Sequence, residues 1–123
     1  MKKFRLLLLS AILAVVTAGG AYADVKGTGL DSNGEWPGDK GHKCSSDRYG
    51  VEISGTYGTA SVVIQYVKPG TDDTFINVPD TPTWTTTDGD TGTVVTWPYR
   101  LVITLATVDG STDLDVSINC ISS

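Results

Sequence analysis

Histidine occurs once in this chain of 123 residues, at His42, and cysteine twice, at Cys44 and Cys120. A single imidazole in a glycine-rich stretch gives Ser-His-Asp chemistry no distinctive arrangement, because serine and aspartate are scattered everywhere. The loop carboxylates Asp72-Asp73 and Asp88-Asp90 have no apolar neighbours that would raise their proton affinity. The expectation is a non-catalytic protein that needs no cofactor. Basic residues are also scarce, with 9 Lys and Arg against 14 Asp and Glu. Without a basic cluster the surface repels phosphate, which argues against nucleic acid and against anionic lipid as partners. Sustained helical spacing is missing from residue 24 onward.

The amino terminus carries an export signal. Lys2, Lys3 and Arg5 form a basic start, Leu6 to Val16 is apolar, and Ala21-Tyr22-Ala23 is a small-x-small cleavage site. The apolar run is too short to span a bilayer comfortably, and no cysteine near the cleavage site invites a lipid anchor. Cleavage is expected to leave Asp24 as the first residue, in the periplasm or outside the cell, with no further membrane association. The mature chain of 100 residues then holds 6 basic and 14 acidic side chains, a net charge of −8. That length suits one domain with one core.

Residues 24–43 contain five glycines and one proline, and predict an irregular arm. From Tyr49 onward the pattern is period two. Tyr49, Val51 and Ile53 share a face, as do Ala60, Val62, Ile64 and Tyr66, with Ser61 and Gln65 opposite. Leu101, Ile103 and Leu105 form another apolar set. Leu114, Val116, Ile118 and Cys120 form the last, backed by Asp115, Ser117 and Asn119. Alternation in β-branched residues, broken by Gly, Pro and Asp, predicts strands. The expected fold is all-β: an antiparallel sandwich of six or seven strands over 44–123. The 59–79 segment is a hairpin around Pro69-Gly70. Burying its inner face contributes several kcal/mol at about 25 cal/mol per Å².

Two cysteines in an exported chain predict a Cys44–Cys120 disulfide. A zinc set formed with His42 lacks a fourth ligand and is the weaker reading. Asp31 and Asn33 open a calcium-loop-like stretch, but Trp36 stands where glycine is wanted and His42 where a bidentate glutamate is wanted. Asp88 and Asp90 offer a second oxygen cluster. For both loops turn chemistry is the preferred reading. Trp36, Trp84 and Trp97, with Tyr57 and Tyr99, are candidates for a sugar-stacking platform. The competing role for Trp84 and Trp97 is filling the core, and Trp36 is expected to be exposed. Val63 and Val67 are expected on the outer face of the hairpin, available to a protein partner or a second copy.

The order of strands and turns over roughly residues 51–118 resembles a small β-sandwich module of bacteriophage virion proteins. The residues that carry the likeness are Gly55, Gly58 to Tyr66, Pro69 to Phe75, Val78-Pro79, Arg100 to Val102, Ala106-Thr107 and Leu114 to Ile118. The resemblance implies a head-fibre, decoration or tail-associated domain without catalytic residues. Such a domain works by packing against neighbours or presenting a binding tip. The glycine-rich arm with Cys44, and the export signal, depart from that pattern.

Overall fold

A computed structural model describes residues 24–71 and 73–121. The export signal expected over 1–23, and Asp72, lie outside the described residues. Nine strands and no helix occur among the described residues. They are β1 (Val25–Leu30), β2 (Gly34–Trp36), β3 (Arg48–Thr56), β4 (Ser61–Val67), β5 (Phe75–Asn77), β6 (Thr83–Trp84), β7 (Thr91–Thr96), β8 (Leu101–Ala106) and β9 (Asp113–Cys120). One antiparallel sheet has the order β1-β9-β3-β7. The other runs β2-β8-β4-β5, and β6 pairs with the same strand, β4, further along.

The inward faces follow the alternation of the sequence. In the first sheet Val51 and Ile53 of β3 lie opposite Ile118 and Val116 of β9, and Tyr49 and Leu114 are buried with them. Val62 and Ile64 of β4 lie opposite Leu105 and Ile103 of β8 in the second. These side chains are at most 3% exposed and form one core between the layers. A disulfide joins Cys44, in the approach to β3, to Cys120 at the end of β9, with Cα atoms 5.4 Å apart. That separation is ordinary for a bridged pair.

The expected irregular arm is the main correction. Residues 24–43 supply β1 and β2, one for an edge of each sheet, and so raise the strand number above six or seven. Glycine signals a loop when only local chemistry is weighed, yet here backbone pairing with β9 and β8 decides the conformation. Gly27 explains why a side chain is missing there. A Cβ on it would lie 2.4 Å from Nε1 of Trp36, so the two edge strands meet indole against bare backbone. The rest of the arm also docks. His42 and Leu101 exchange both backbone hydrogen bonds at 2.9 Å, which docks the end of the arm against β8.

At one end of the sandwich Asp109 ties two turns together. Its carboxylate accepts from the Ser111 hydroxyl at 2.8 Å, the Ser111 N–H at 2.9 Å and the Thr59 N–H at 3.1 Å. Beside it Thr112, 4% exposed, donates to the Tyr57 carbonyl at 2.8 Å and accepts from the Asp109 N–H at 3.0 Å. Gly58 has φ of 60°, and a Cβ there would meet the Asp109 carboxylate at 2.2 Å. Glycine is therefore required both by the backbone and by the clip.

The bonds from Ser111, first its hydroxyl and then its N–H, hold the Asp109 carboxyl below its ordinary range. A depressed folded-state pKa adds stability above the unfolded carboxylate value, about 3.9, and that stability disappears as pH falls through the folded value. Asp109→Ala should therefore shift the denaturation midpoint near pH 7, with the difference from wild type shrinking in acid. Urea titrations of both proteins near pH 7 and at about pH 2 check this. An equal deficit at both pH values would assign the loss to geometry instead of charge.

Candidate functional site

A hollow of about 560 Å³ lies on the outer face of the β1-β9-β3-β7 sheet. Its floor follows from the register. Lys26, Ser117, Glu52 and Gly92 stand side by side on four adjacent strands. Ser54 and Asp115 form the next row, and Asn119 and Gly50 lie on the other side, with Val94 beyond Gly50. Two glycines replace side chains in these rows, which opens the surface. An added Cβ at Gly92 would approach the Val51 carbonyl to 3.0 Å, and one at Gly50 would approach Ile121 to 3.3 Å. Val94, 55% exposed, forms an apolar rim beside this polar floor.

The charge of the hollow is one lysine against Glu52, Asp90 and Asp115. Two of these carboxylates also do structural work. Asp115 sits at the register shift between Leu114 and Val116, and accepts from the Gly29 N–H at 3.0 Å. Asp90 accepts from the Gly55 N–H at 3.2 Å. Serine hydroxyls, an amide and pinned carboxylates make a surface suited to hydrogen-bonding an extended polar partner. The sequence signal for it was the outward set Asp115, Ser117 and Asn119, which alternation reads only as a solvated face.

The tryptophans divide differently from the expectation. Trp84 is 3% exposed, lies opposite Val62, and belongs to the core. Trp36 is half-buried, not the exposed platform expected from its glycine-rich surroundings, because β2 turns its indole over Gly27. It still borders a smaller hollow of about 260 Å³, together with Asp31 and Asn33. Trp97 is half-buried in an aromatic cluster at the end of the sandwich. Its ring centroid is 5.1 Å from that of Tyr66, and Tyr66 stacks on Tyr99 at 5.7 Å. Tyr99 is 42% exposed and is the outer ring of this group. The Trp97 Nε1 is buried without a hydrogen-bond partner.

Tyr57 is buried, so it does not join that platform; burial, then Asp88 and Asp90, push its hydroxyl pKa up. Tyr49, absent from the sequence candidates, supports the cluster from beneath. Its hydroxyl donates to the Tyr99 carbonyl at 2.9 Å and accepts from the Cys44 N–H at 3.4 Å. Burial pushes this hydroxyl up as well.

Val63 is half-buried, between Thr83 and Thr104 in the ladder. Val67 is 2% exposed and is not an outward contact. The docked arm covers it: a Cβ on Gly41 would sit 3.1 Å from Val67 Cγ2. The oxygens proposed for calcium are engaged in turns and backbone bonds. Asn33 accepts from the Val108 N–H at 3.0 Å, and Asp88 from the Thr85 N–H at 2.7 Å. Asp31 accepts from the Ser32 hydroxyl at 3.3 Å. Among the described residues, one group of three potential metal ligands converges, His42, Cys44 and Cys120, with ligand atoms all within 4.8 Å of one another.

Comparison with protein-family models, curated proteins and solved structures returned no match.

Proposed function

We propose that this chain is an exported, non-catalytic interaction module that holds an extended polar partner across the outer face of its four-stranded sheet. The observation that carries this reading is the hollow of about 560 Å³, floored by Lys26, Glu52, Ser54, Ser117 and Asn119 and opened by Gly92. Hydrogen-bonding groups on a rigid sheet lose little freedom when a partner binds, so they suit recognition. The disulfide and the expected export signal fit an oxidising compartment. The resemblance to virion-type sandwiches suggests attachment to a particle as one setting, and a cell surface is the other. A glycan is the alternative partner, favoured by the exposed Tyr99 ring stacked on Tyr66.

One experiment separates these readings. The supernatant of a producing culture is sedimented, and pellet and soluble fractions are analysed by mass spectrometry and passed over insoluble polysaccharides. Ser117→Tyr fills the hollow from an outward position and is expected to change stability by no more than about 0.5 kcal/mol. It should abolish co-sedimentation at fixed stoichiometry with a partner. Pelleting unaffected by Ser117→Tyr removes the hollow as the interface. Retention on polysaccharide that Tyr99→Ala eliminates, with Ser117→Tyr silent, establishes the glycan reading instead.

A further inference from the structure

The residues around the disulfide support a second activity, independent of the polar hollow. His42 Nε2 lies 3.5 Å from Cys120 Sγ, and both stand beside Cys44 Sγ. We propose that the reduced protein binds one soft monovalent cation, Cu(I), through Cys44 Sγ, Cys120 Sγ and His42 Nε2, so that the disulfide and the metal are alternative occupants of one site.

The ligand set selects the ion. Two thiolates are soft donors that select Cu(I) and the imidazole is a donor copper also accepts, whereas zinc in a structural site takes a fourth ligand. Metal–sulfur bonds of about 2.3 Å and metal–nitrogen bonds of about 2 Å place the donors of a planar three-coordinate site roughly 4 Å apart. The present spread, within 4.8 Å, brackets that spacing. Only the two sulfurs need to separate, by side-chain rotation on backbones already 5.4 Å apart.

The site also does not depend on the S–S bond for its assembly. His42 is clamped by its paired backbone bonds with Leu101, each 2.9 Å. Cys120 is held in the ladder opposite Tyr49, and its N–H donates to the Asp24 carboxylate at 2.8 Å. Cys44 is anchored by its N–H to the Tyr49 hydroxyl at 3.4 Å and by its carbonyl, which accepts from the Asp47 N–H at 3.2 Å. His42 and Cys44, two residues apart on one segment, and Cys120 on β9 are each held by backbone bonds, which preorganises the three ligands for a common guest.

Exchange of occupants balances with a dithiol as reductant. One thiolate of the dithiol attacks Cys120 Sγ, the partly exposed sulfur, and Cys44 leaves as a thiolate. The second thiol of the reagent attacks its own mixed disulfide, releases Cys120 and departs as a cyclic disulfide. Two electrons and two protons have then passed to the protein. Cu(I) displaces the two thiol protons to solvent as it takes both sulfurs and the imidazole nitrogen.

The test uses the full chain under anaerobic conditions, oxidised or reduced, titrated with Cu(I) against a chromophoric Cu(I) chelator. Native mass spectrometry gives stoichiometry, and near-ultraviolet circular dichroism reports folding. The expected result is one Cu(I) per reduced chain, none for the oxidised chain, and affinity at least roughly tenfold weaker in reduced His42→Ala. If reduction loosens the fold, one equivalent of Cu(I) should restore the near-ultraviolet spectrum of wild type but not of His42→Ala. Equal affinity of wild type and His42→Ala, or no uptake from the chelator by the reduced chain, overturns the proposal.

Discussion

Replacing Trp84 with alanine should lower stability by about 3–5 kcal/mol and the melting temperature by on the order of 20 °C. The indole is 3% exposed, and it is half of β6, a strand of only two residues. Its ladder consists of two pairs, Val62 with Trp84 and Val63 with Thr83. So short a ladder cannot hold the connection between β5 and β7 on its own. The ring must supply the attachment through burial against the inner face of β4. Removing it leaves a cavity of indole size between rigid layers, which collapse only in part. Thermal unfolding followed by circular dichroism gives the answer directly. A melting temperature within a few degrees of wild type would return Trp84 to the surface and reopen it as a ligand-stacking residue.

Removing the disulfide by Cys44→Ala with Cys120→Ala has the second large expected effect, a loss of about 4 kcal/mol. The bridged residues are 76 apart in sequence, and closing a loop of that length restricts the unfolded chain by roughly this amount in the entropic account. The folded state gives less reason for loss, because the backbone bonds of His42, Cys44 and Cys120 described above persist without sulfur. A domain of this size is stable by about 5–15 kcal/mol, so the variant should remain mostly folded at room temperature. Its denaturant midpoint should fall while its β-sheet spectrum is retained. A variant unfolded under all conditions would mean that the bridge creates native packing instead of limiting the unfolded ensemble.

The sandwich was legible because strands buried on one face write that face into every second residue. Tyr49, Val51, Ile53, Val62, Ile64, Leu101, Ile103, Leu114, Val116 and Ile118 were readable as core, and all are at most 1% exposed. The disulfide followed from compartment and count. What could not be read depended on partners remote in sequence. Gly27 looks like a loop residue until Trp36 is seen lying over it. Val67 looks outward until the segment around Gly41 is seen covering it. The polar hollow needed the lateral alignment of four strands, since no local pattern reveals that Gly92 neighbours Glu52 and Ser117. The Asp109 clip spans β-turns 50 residues apart, and its carboxylate was indistinguishable from any other loop aspartate.

The place of β9 between β1 and β3 has a consequence for the order in which the first sheet can close. Ile118 pairs with Val25 on one side and with Val51 on the other. The last of the described strands is thus an interior strand, and β1, the first of them, has no other neighbour in its sheet. A chain that becomes available from its amino-terminal side would lack that strand until the other eight described strands had emerged. The topology itself delays closure of this sheet, because both of the pairings that join β1 to β3 run through β9.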